Sequence, residues 1–180
     1  GLWEAHGRYG SLSWKELVQP AIKLAEGGFP AYRYLVYRMQ SQHKNYRRWP
    51  TTAETYLRNG RVPRVGEMIY LRDMAITLRH LASIEDAHRG RGREAALEVA
   101  RNFVYKGEMA QAIVSLCQSQ GGFLTMEDLA AHTTDFPEPL CVNYHGVDVW
   151  EHPPNGQGLV ALLALRQLDQ MGAERLEHNS

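Results

Sequence analysis

Residues 105–158 read YKGEMAQAIVSLCQSQGGFLTMEDLAAHTTDFPEPLCVNYHGVDVWEHPPNGQG, and the order of their punctuation decides the fold. A helical period from about Met109 to Ser119 stops at Gly121-Gly122, where glycine accepts the left-handed conformation that ends a helix. Thr125 and Asp128 in TMED form a weaker version of the capping box, with Asp in place of Glu, so a short helix, MEDLAAH, is expected next. From Pro139 to Glu151 the residues alternate about Tyr144-His145-Gly146, which predicts two strands, LCVNY and VDVWE, paired as a hairpin. After Pro153-Pro154-Asn155-Gly156 an apolar period predicts a helix from Leu159 to Met171.

Upstream, the pattern is helical. Ser13 and Glu16 in SWKE make a capping box, and Trp14, Leu17, Val18, Ala21, Ile22 and Leu24 follow at helical spacing until Gly27-Gly28. Pro20 lies inside that run and removes a backbone donor, so a kink or break is expected near it. A second helix is expected over residues 32–42, with Tyr32, Leu35, Val36 and Met39 on one face. A short helix is expected over residues 50–57, then turn chemistry at Asn59-Gly60 leading into an extended piece through Pro63. Leu71, Met74, Ala75, Leu78, Leu81 and Ala82 mark an amphipathic helix to Ile84. Residues 89–93 form a basic, glycine-interrupted loop, after which the helical period resumes at Glu94 and stops at Gly107. The sum is mainly α with one small β-hairpin, without repeats or low-complexity tracts.

Composition narrows the class. At 180 residues the chain can bury a core, and its 20 basic and 20 acidic residues balance overall, so nucleic acid is not an expected partner. Two cysteines, Cys117 and Cys141, cannot build a disulfide framework and have no zinc spacing; they read as small half-buried hydrophobes. No apolar run reaches the about 18 residues of a membrane helix, and no leader pattern opens the chain. The chain begins at Gly1 rather than Met, and residues 168–180 start a pattern that stops early. It is therefore expected to be a piece of something larger.

The candidate chemical motifs each have a simpler structural reading. Asn155-Gly156-Gln157-Gly158 lacks the lysine and hydroxyl of a phosphate loop and reads as a tight strand-to-helix turn. Residues 43–49, HKNYRRW, interleave cations and aromatics in the manner of a single-strand nucleic-acid surface, but read as solvated charge with partly packed rings, as do the arginines of residues 89–93. His145 and His152 are seven residues apart, His80 and His88 do not share a turn, and neither HExxH nor GxSxG occurs. Glu127 and Asp128 suit the positive end of a helix, with Asp135 nearby.

A set of segments in fixed order resembles a known family. These are Gly7-Arg8-Tyr9-Gly10 with Ser13-Trp14; Val18-Gln19-Pro20-Ala21-Ile22-Lys23-Leu24-Ala25-Glu26-Gly27-Gly28-Phe29; Leu78 in its helix; Phe103, Tyr105, Gly107, Ala110 and Ile113; Gly121-Gly122 with Leu124-Thr125 and Glu127-Asp128-Leu129-Ala130; then Pro139, Tyr144, Gly146 and Pro153-Pro154. In this order they resemble the large subunit of the gamma-glutamyltransferases along almost the whole chain. One departure is Asn155-Gly156-Gln157-Gly158, where many members carry Ser-Ser-Gly-Gly; the form is associated with divergent, acylase-like members.

The resemblance implies the helical part of the large subunit of an αββα N-terminal-nucleophile hydrolase, here one mostly helical domain over residues 1–180. Within it, residues 1–138 are expected to be helical, 139–152 the hairpin, and 153–180 a proline-glycine loop and helix. The implied parent activity is hydrolysis or transfer of gamma-glutamyl groups from glutathione-type substrates through a threonine ester, with no metal or organic cofactor. The same resemblance places the substrate-carboxylate arginine upstream of Gly1 and the nucleophilic threonine downstream of Ser180. No catalytic, cofactor-binding or metal residue is therefore assigned within the segment, and the segment alone is expected to be inactive. His132-Thr133-Thr134-Asp135 imitates the family's nucleophile motif, but it follows a helix and precedes Phe136-Pro137-Glu138-Pro139, so it reads as linker. The implied partner is the remainder of its own chain, the small catalytic subunit, with a gamma-glutamyl or related acyl compound as substrate. An acylase of cephalosporin or glutaryl type on the same scaffold and a non-catalytic helical interaction module are the rival readings. No compartment is assigned, although members of that family are often exported or held at the cell surface.

Overall fold

The computed structural model describes residues 1–172, so the pattern at residues 168–180 lies, from residue 173 onward, outside the described residues. The chain divides into two compact units, Gly1–His132 and Thr133–Ser180. The first holds α1 (Leu2–Tyr9), α2 (Trp14–Gly27), β1 (Phe29–Pro30), α3 (Arg33–Ser41), α4 (His43–Arg48), α5 (Pro50–Tyr56), β2 (Met68–Ile69), α6 (Arg72–His88), a 3-10 turn (Arg89–Arg91), α7 (Arg93–Tyr105), α8 (Glu108–Ser119) and α9 (Met126–Ala131). The second holds β3 (Leu140–Tyr144), β4 (Val147–Glu151) and α10 (Gly158–Met171).

The capping boxes at Ser13/Glu16 and Thr125/Asp128 both form as expected. In the first, the Ser13 Oγ accepts the Glu16 amide at 3.2 Å while the Ser13 amide donates to the Glu16 carboxylate at 2.9 Å. This satisfies amides that a helix start would otherwise leave open. The helix runs unbroken through Pro20 to Gly27.

Its buried stripe is Val18, Ile22 and Ala25, spaced i, i+4, i+7, and it packs on Ala75 and Ala82 of α6, with Trp14, Leu71 and Leu78 around them. Leu17 and Leu24, expected inward, are exposed because the stripe falls one residue further along. Met74 is exposed for the same reason, Ala75 taking the inward position. Small alanines on α6 let the two helices approach closely.

A second cluster, Ala31, Val36, Met39, Leu57 and Ile69, is closed by Phe29, Leu35, Tyr46 and Tyr56. Full burial of Met39 or Ile69 contributes about 1.5–3 kcal/mol each. Tyr32, expected on the inward face of α3, precedes its first turn as the cap residue and is exposed. Leu71 packs against both clusters, and its amide donates to the Ala25 carbonyl at 2.8 Å. The antiparallel pair β1–β2, with Phe29 opposite Ile69, ties the two together.

In the second unit β3 and β4 pair antiparallel, Leu140 opposite Glu151 and Tyr144 opposite Val147. The two linking residues, His145 and Gly146, both have positive φ, 50° and 81°. That is the primed turn whose twist matches a two-residue hairpin.

Candidate functional site

Several of the candidate motifs fall, along the sequence, between α9 and the start of α10. Helix α9 ends at Ala131, and the His132 carbonyl accepts a hydrogen bond from the Arg101 guanidinium at 2.7 Å. The His132 ring stacks on Tyr105 at 5.2 Å and 11°. Arg101 also lies over Tyr105 at 4.9 Å and over Trp3 at 5.6 Å, so one cation holds α1, α7 and the chain leaving α9. His132 is occupied as a packing element.

Residues 132–139 are without regular structure. Thr133 is exposed, and no hydrogen bond among the described residues joins its hydroxyl to a base. In an N-terminal-nucleophile hydrolase that base is the threonine's own freed amine, whereas the Thr133 nitrogen lies within the continuous chain, in an irregular stretch between α9 and β3.

On the hairpin, Leu140, Val142, Tyr144, Val149 and Glu151 are half-buried, while Cys141, Asn143, Asp148 and Trp150 on the opposite face are exposed. Helix α10 packs on the hairpin. A Cβ at Gly158 would sit 2.7 Å from the Glu151 side chain, so only glycine permits this approach. Asn143 Nδ2 donates to Asp148 at 2.7 Å and Asn143 Oδ1 accepts the Gly146 amide at 3.1 Å, bracing the turn. Desolvation first, and the Asp148 charge second, push the Cys141 thiol up, so it is no activated nucleophile. In the loop, the Gly156 amide donates to the Pro153 carbonyl at 3.3 Å, a turn rather than a cradle of outward amides.

The remaining candidates have structural roles. His43 contacts the Gly60 carbonyl at 2.8 Å, His88 the Ile84 carbonyl at 2.8 Å, and His80 packs on Phe103 at 4.5 Å. Ser83 lies near His80 in sequence, yet its hydroxyl donates to the His80 backbone carbonyl at 2.7 Å. A groove of about 530 Å³ between α2 and α6 includes Lys15, Gln19, Arg79 and Asp86. There the Lys15 ammonium, 3.0 Å away, holds the Asp86 carboxyl below its ordinary range. A second groove of about 620 Å³ lies between α5 and the start of α6, with Thr51, Thr55, Arg58, Tyr70 and Arg72 in its wall. Neither sets a nucleophile against a base. Among the described residues no cluster of three or more His, Cys, Asp or Glu could hold a metal, and no helix is long and apolar enough to cross a membrane.

What remains is a scaffold with ordered caps, a braced hairpin and a glycine-tight loop, and the family model for gamma-glutamyltranspeptidase matches it over residues 1–180. The chain belongs to the gamma-glutamyltranspeptidase family. It is 30% identical over 172 residues to the glutathione hydrolase-like YwrD proenzyme of Bacillus subtilis, covering 96% of this chain and 30% of that one. Among solved structures it is similar to cephalosporin acylase from Bacillus halodurans, at 33% identity and TM-score 0.77, over 99% of this chain and 31% of the other. It shares the fold of Helicobacter pylori gamma-glutamyltranspeptidase at TM-score 0.82 and 20% identity, over 100% of this chain and 48% of that one. The chain thus spans about a third of the length of the YwrD relative.

Within this chain, sequence reasoning missed several structural anchors. Glu85 is buried, at 4% exposure, and its carboxylate accepts the Trp14 and Lys15 amides at 3.0 and 3.1 Å. Arg93 donates to the carbonyls of His6, at 2.9 Å, and Gly10. The signal available was a charged residue falling on the inward stripe of α6, three positions after Ala82.

Proposed function

We propose that this chain is the helical scaffold of the large subunit of an enzyme that hydrolyses or transfers gamma-glutamyl groups, glutathione-type compounds being the donors. The reacting threonine belongs to the remainder of the parent chain, and the two units of residues 1–180 act as scaffold for it. The observation that carries this reading is the family match along all of residues 1–180. His132-Thr133-Thr134-Asp135 is linker, with no catalytic residue in the segment. The partner is the small catalytic subunit, which packs where apolar side chains stand exposed in the second unit: Val147, Trp150, Val160, Leu163 and Met171. Large apolar side chains left in contact with water are the groups that a subunit interface would bury.

The test is turnover of a chromogenic gamma-glutamyl anilide by the full-length parent. Thr133→Ala is expected to leave the rate unchanged; loss of activity in that variant would move the nucleophile into this segment and overturn the assignment. No turnover by the unmodified parent would overturn the activity itself.

A second reading, an acylase of cephalosporin or glutaryl type, is favoured by Asn155-Gly156-Gln157-Gly158 at the loop and by the likeness to an acylase structure. Faster cleavage of a glutaryl amide than of the gamma-glutamyl anilide by the same parent protein would select it.

A further inference from the structure

The balanced total charge conceals a segregated distribution. Between Glu26 and Glu54 there are five cations, Arg33, Arg38, Lys44, Arg47 and Arg48, and no acidic residue. Residues 107–165 show the reverse, with seven acidic side chains and no lysine or arginine. None of the five cations is in an ion pair among the described residues.

The five lie on two consecutive helices in contact, α3 and α4. On α3 the exposed cations and rings, Arg33, Tyr34, Tyr37 and Arg38, are spaced i, i+1, i+4, i+5 as one stripe, with Gln40 and Ser41 also exposed, while Val36 and Met39 take the inward face. Tyr34 and Tyr37 are 64% and 61% exposed, their rings 6.4 Å apart. Lys44, Arg47 and Arg48 are exposed on α4, and Arg48 lies 5.4 Å from the half-exposed Trp49 ring.

We propose that this face of α3 and α4 docks on an anionic lipid bilayer surface. Five unpaired cations supply the attraction, since negative headgroups draw basic residues without any need for insertion. Exposed tyrosine and tryptophan suit the headgroup level, where an amphipathic ring has one wet and one apolar side. The apolar side chains of α3 are already committed to the core, so contact is peripheral. The other polyanion such residues could serve is a single-stranded nucleic acid, which is held in a charged groove lined with aromatic platforms. Neither the groove between α2 and α6 nor the one between α5 and α6 takes a side chain from α3 or α4, so the exposed rings of this face do not line a channel. A planar partner fits it better than a threaded strand.

The experiment is co-sedimentation of the full-length parent with vesicles of mixed phosphatidylglycerol and phosphatidylcholine, against vesicles of phosphatidylcholine alone. Binding is expected only to the anionic vesicles, and is expected to fall on going from about 0.1 M to about 1 M salt as the screening length shortens from about 10 to about 3 Å. Each basic residue near the surface contributes roughly fivefold, so replacing Arg33, Arg38, Arg47 and Arg48 together by Gln is expected to weaken partition by several hundredfold. The Arg91→Gln/Lys106→Gln variant, which keeps the α3–α4 face, is expected to bind normally. The salt series on unmodified protein keeps the test decisive if the fourfold variant fails to fold. Three results would each overturn the proposal: no binding to anionic vesicles, binding unaffected by the four substitutions, or preference at equal salt for a single-stranded oligonucleotide or polyglutamate over the vesicles.

Discussion

Replacing Glu85 by Ala removes a carboxylate that caps a helix to which it is joined only through tertiary structure. Its two oxygens accept the Trp14 and Lys15 amides at 3.0 and 3.1 Å, the first two amides of α2, while Ser13 serves that of Glu16. Hydrogen bonds to a charged group contribute about 1.5–3 kcal/mol each. The two share one carboxylate and water reaches part of the vacated site, so a total of about 3 kcal/mol is expected rather than the full sum. For a chain of this size that is roughly 6–12 °C in the unfolding midpoint. Glu85→Gln keeps one acceptor oxygen but loses the charge opposite the positive helix end, and is expected to cost about half as much. Ser13→Ala, which leaves the Glu85 contacts intact, is expected to cost about 1 kcal/mol. Thermal unfolding gives the magnitude, and hydrogen exchange gives the place: protection of the Trp14 and Lys15 amides should drop roughly a hundredfold in Glu85→Ala. A loss under about 0.5 kcal/mol, the ordinary range of surface substitutions, or unchanged exchange at those two amides, would refute the reasoning.

Arg61 hydrogen-bonds both oxygens of Glu67 at 2.9 Å and the Arg64 amide adds a third bond at 2.7 Å, holding the Glu67 carboxyl down at about 2. Because the folded value is the depressed one, this contribution is fully present above the ordinary carboxyl range near 4.5 and is lost as pH falls toward about 2. Carboxyl-detected NMR titration should place the Glu67 midpoint near 2, and Arg61→Gln should return it most of the way to the ordinary range. Gly28 has φ of 80°, and a Cβ there would lie 2.8 Å from the Tyr70 ring and 3.0 Å from the Ile69 carbonyl. Gly28→Ala is therefore expected to destabilise the protein by about 1–3 kcal/mol, read as a lowered denaturation midpoint with faster exchange at the β1–β2 pair. Arg93→Ala removes the bonds to the His6 and Gly10 carbonyls and is expected to cost about 1–3 kcal/mol, with the loss of protection confined to α1.

The parts of the fold legible in the sequence are those decided within a few residues. Capping boxes at Ser13 and Thr125 join groups three positions apart, and both form. The hairpin was legible because its alternation and its His145-Gly146 turn agree on one register. The order of such signals also sufficed for the family. Helix α4 was not legible: residues 43–48 have no apolar stripe, and their inward contacts, Tyr46 against Tyr56 at 5.7 Å and His43 to Gly60, come from α5 and its loop. Helix α1 is equally weak alone and rests on Arg93 and Arg101 of α7. Reading residues 43–49 as solvated charge with partly packed rings agrees with their exposure, but the cations that α3 adds beside them were not legible, since which face of α3 turns outward depends on Val36 and Met39 finding a core.

Sequence alone thus determined where α2, α8, α9 and α10 fall, the hairpin and its register, and membership of the gamma-glutamyltranspeptidase family, because each rests on neighbours along the chain or on their order. Tertiary structure decided which leucines are exposed, that Glu85 caps a helix 70 residues away, and that Phe29 pairs with Ile69. Those contacts close long loops. Their partners are chosen by packing and by satisfying buried polar groups, quantities that no local pattern encodes.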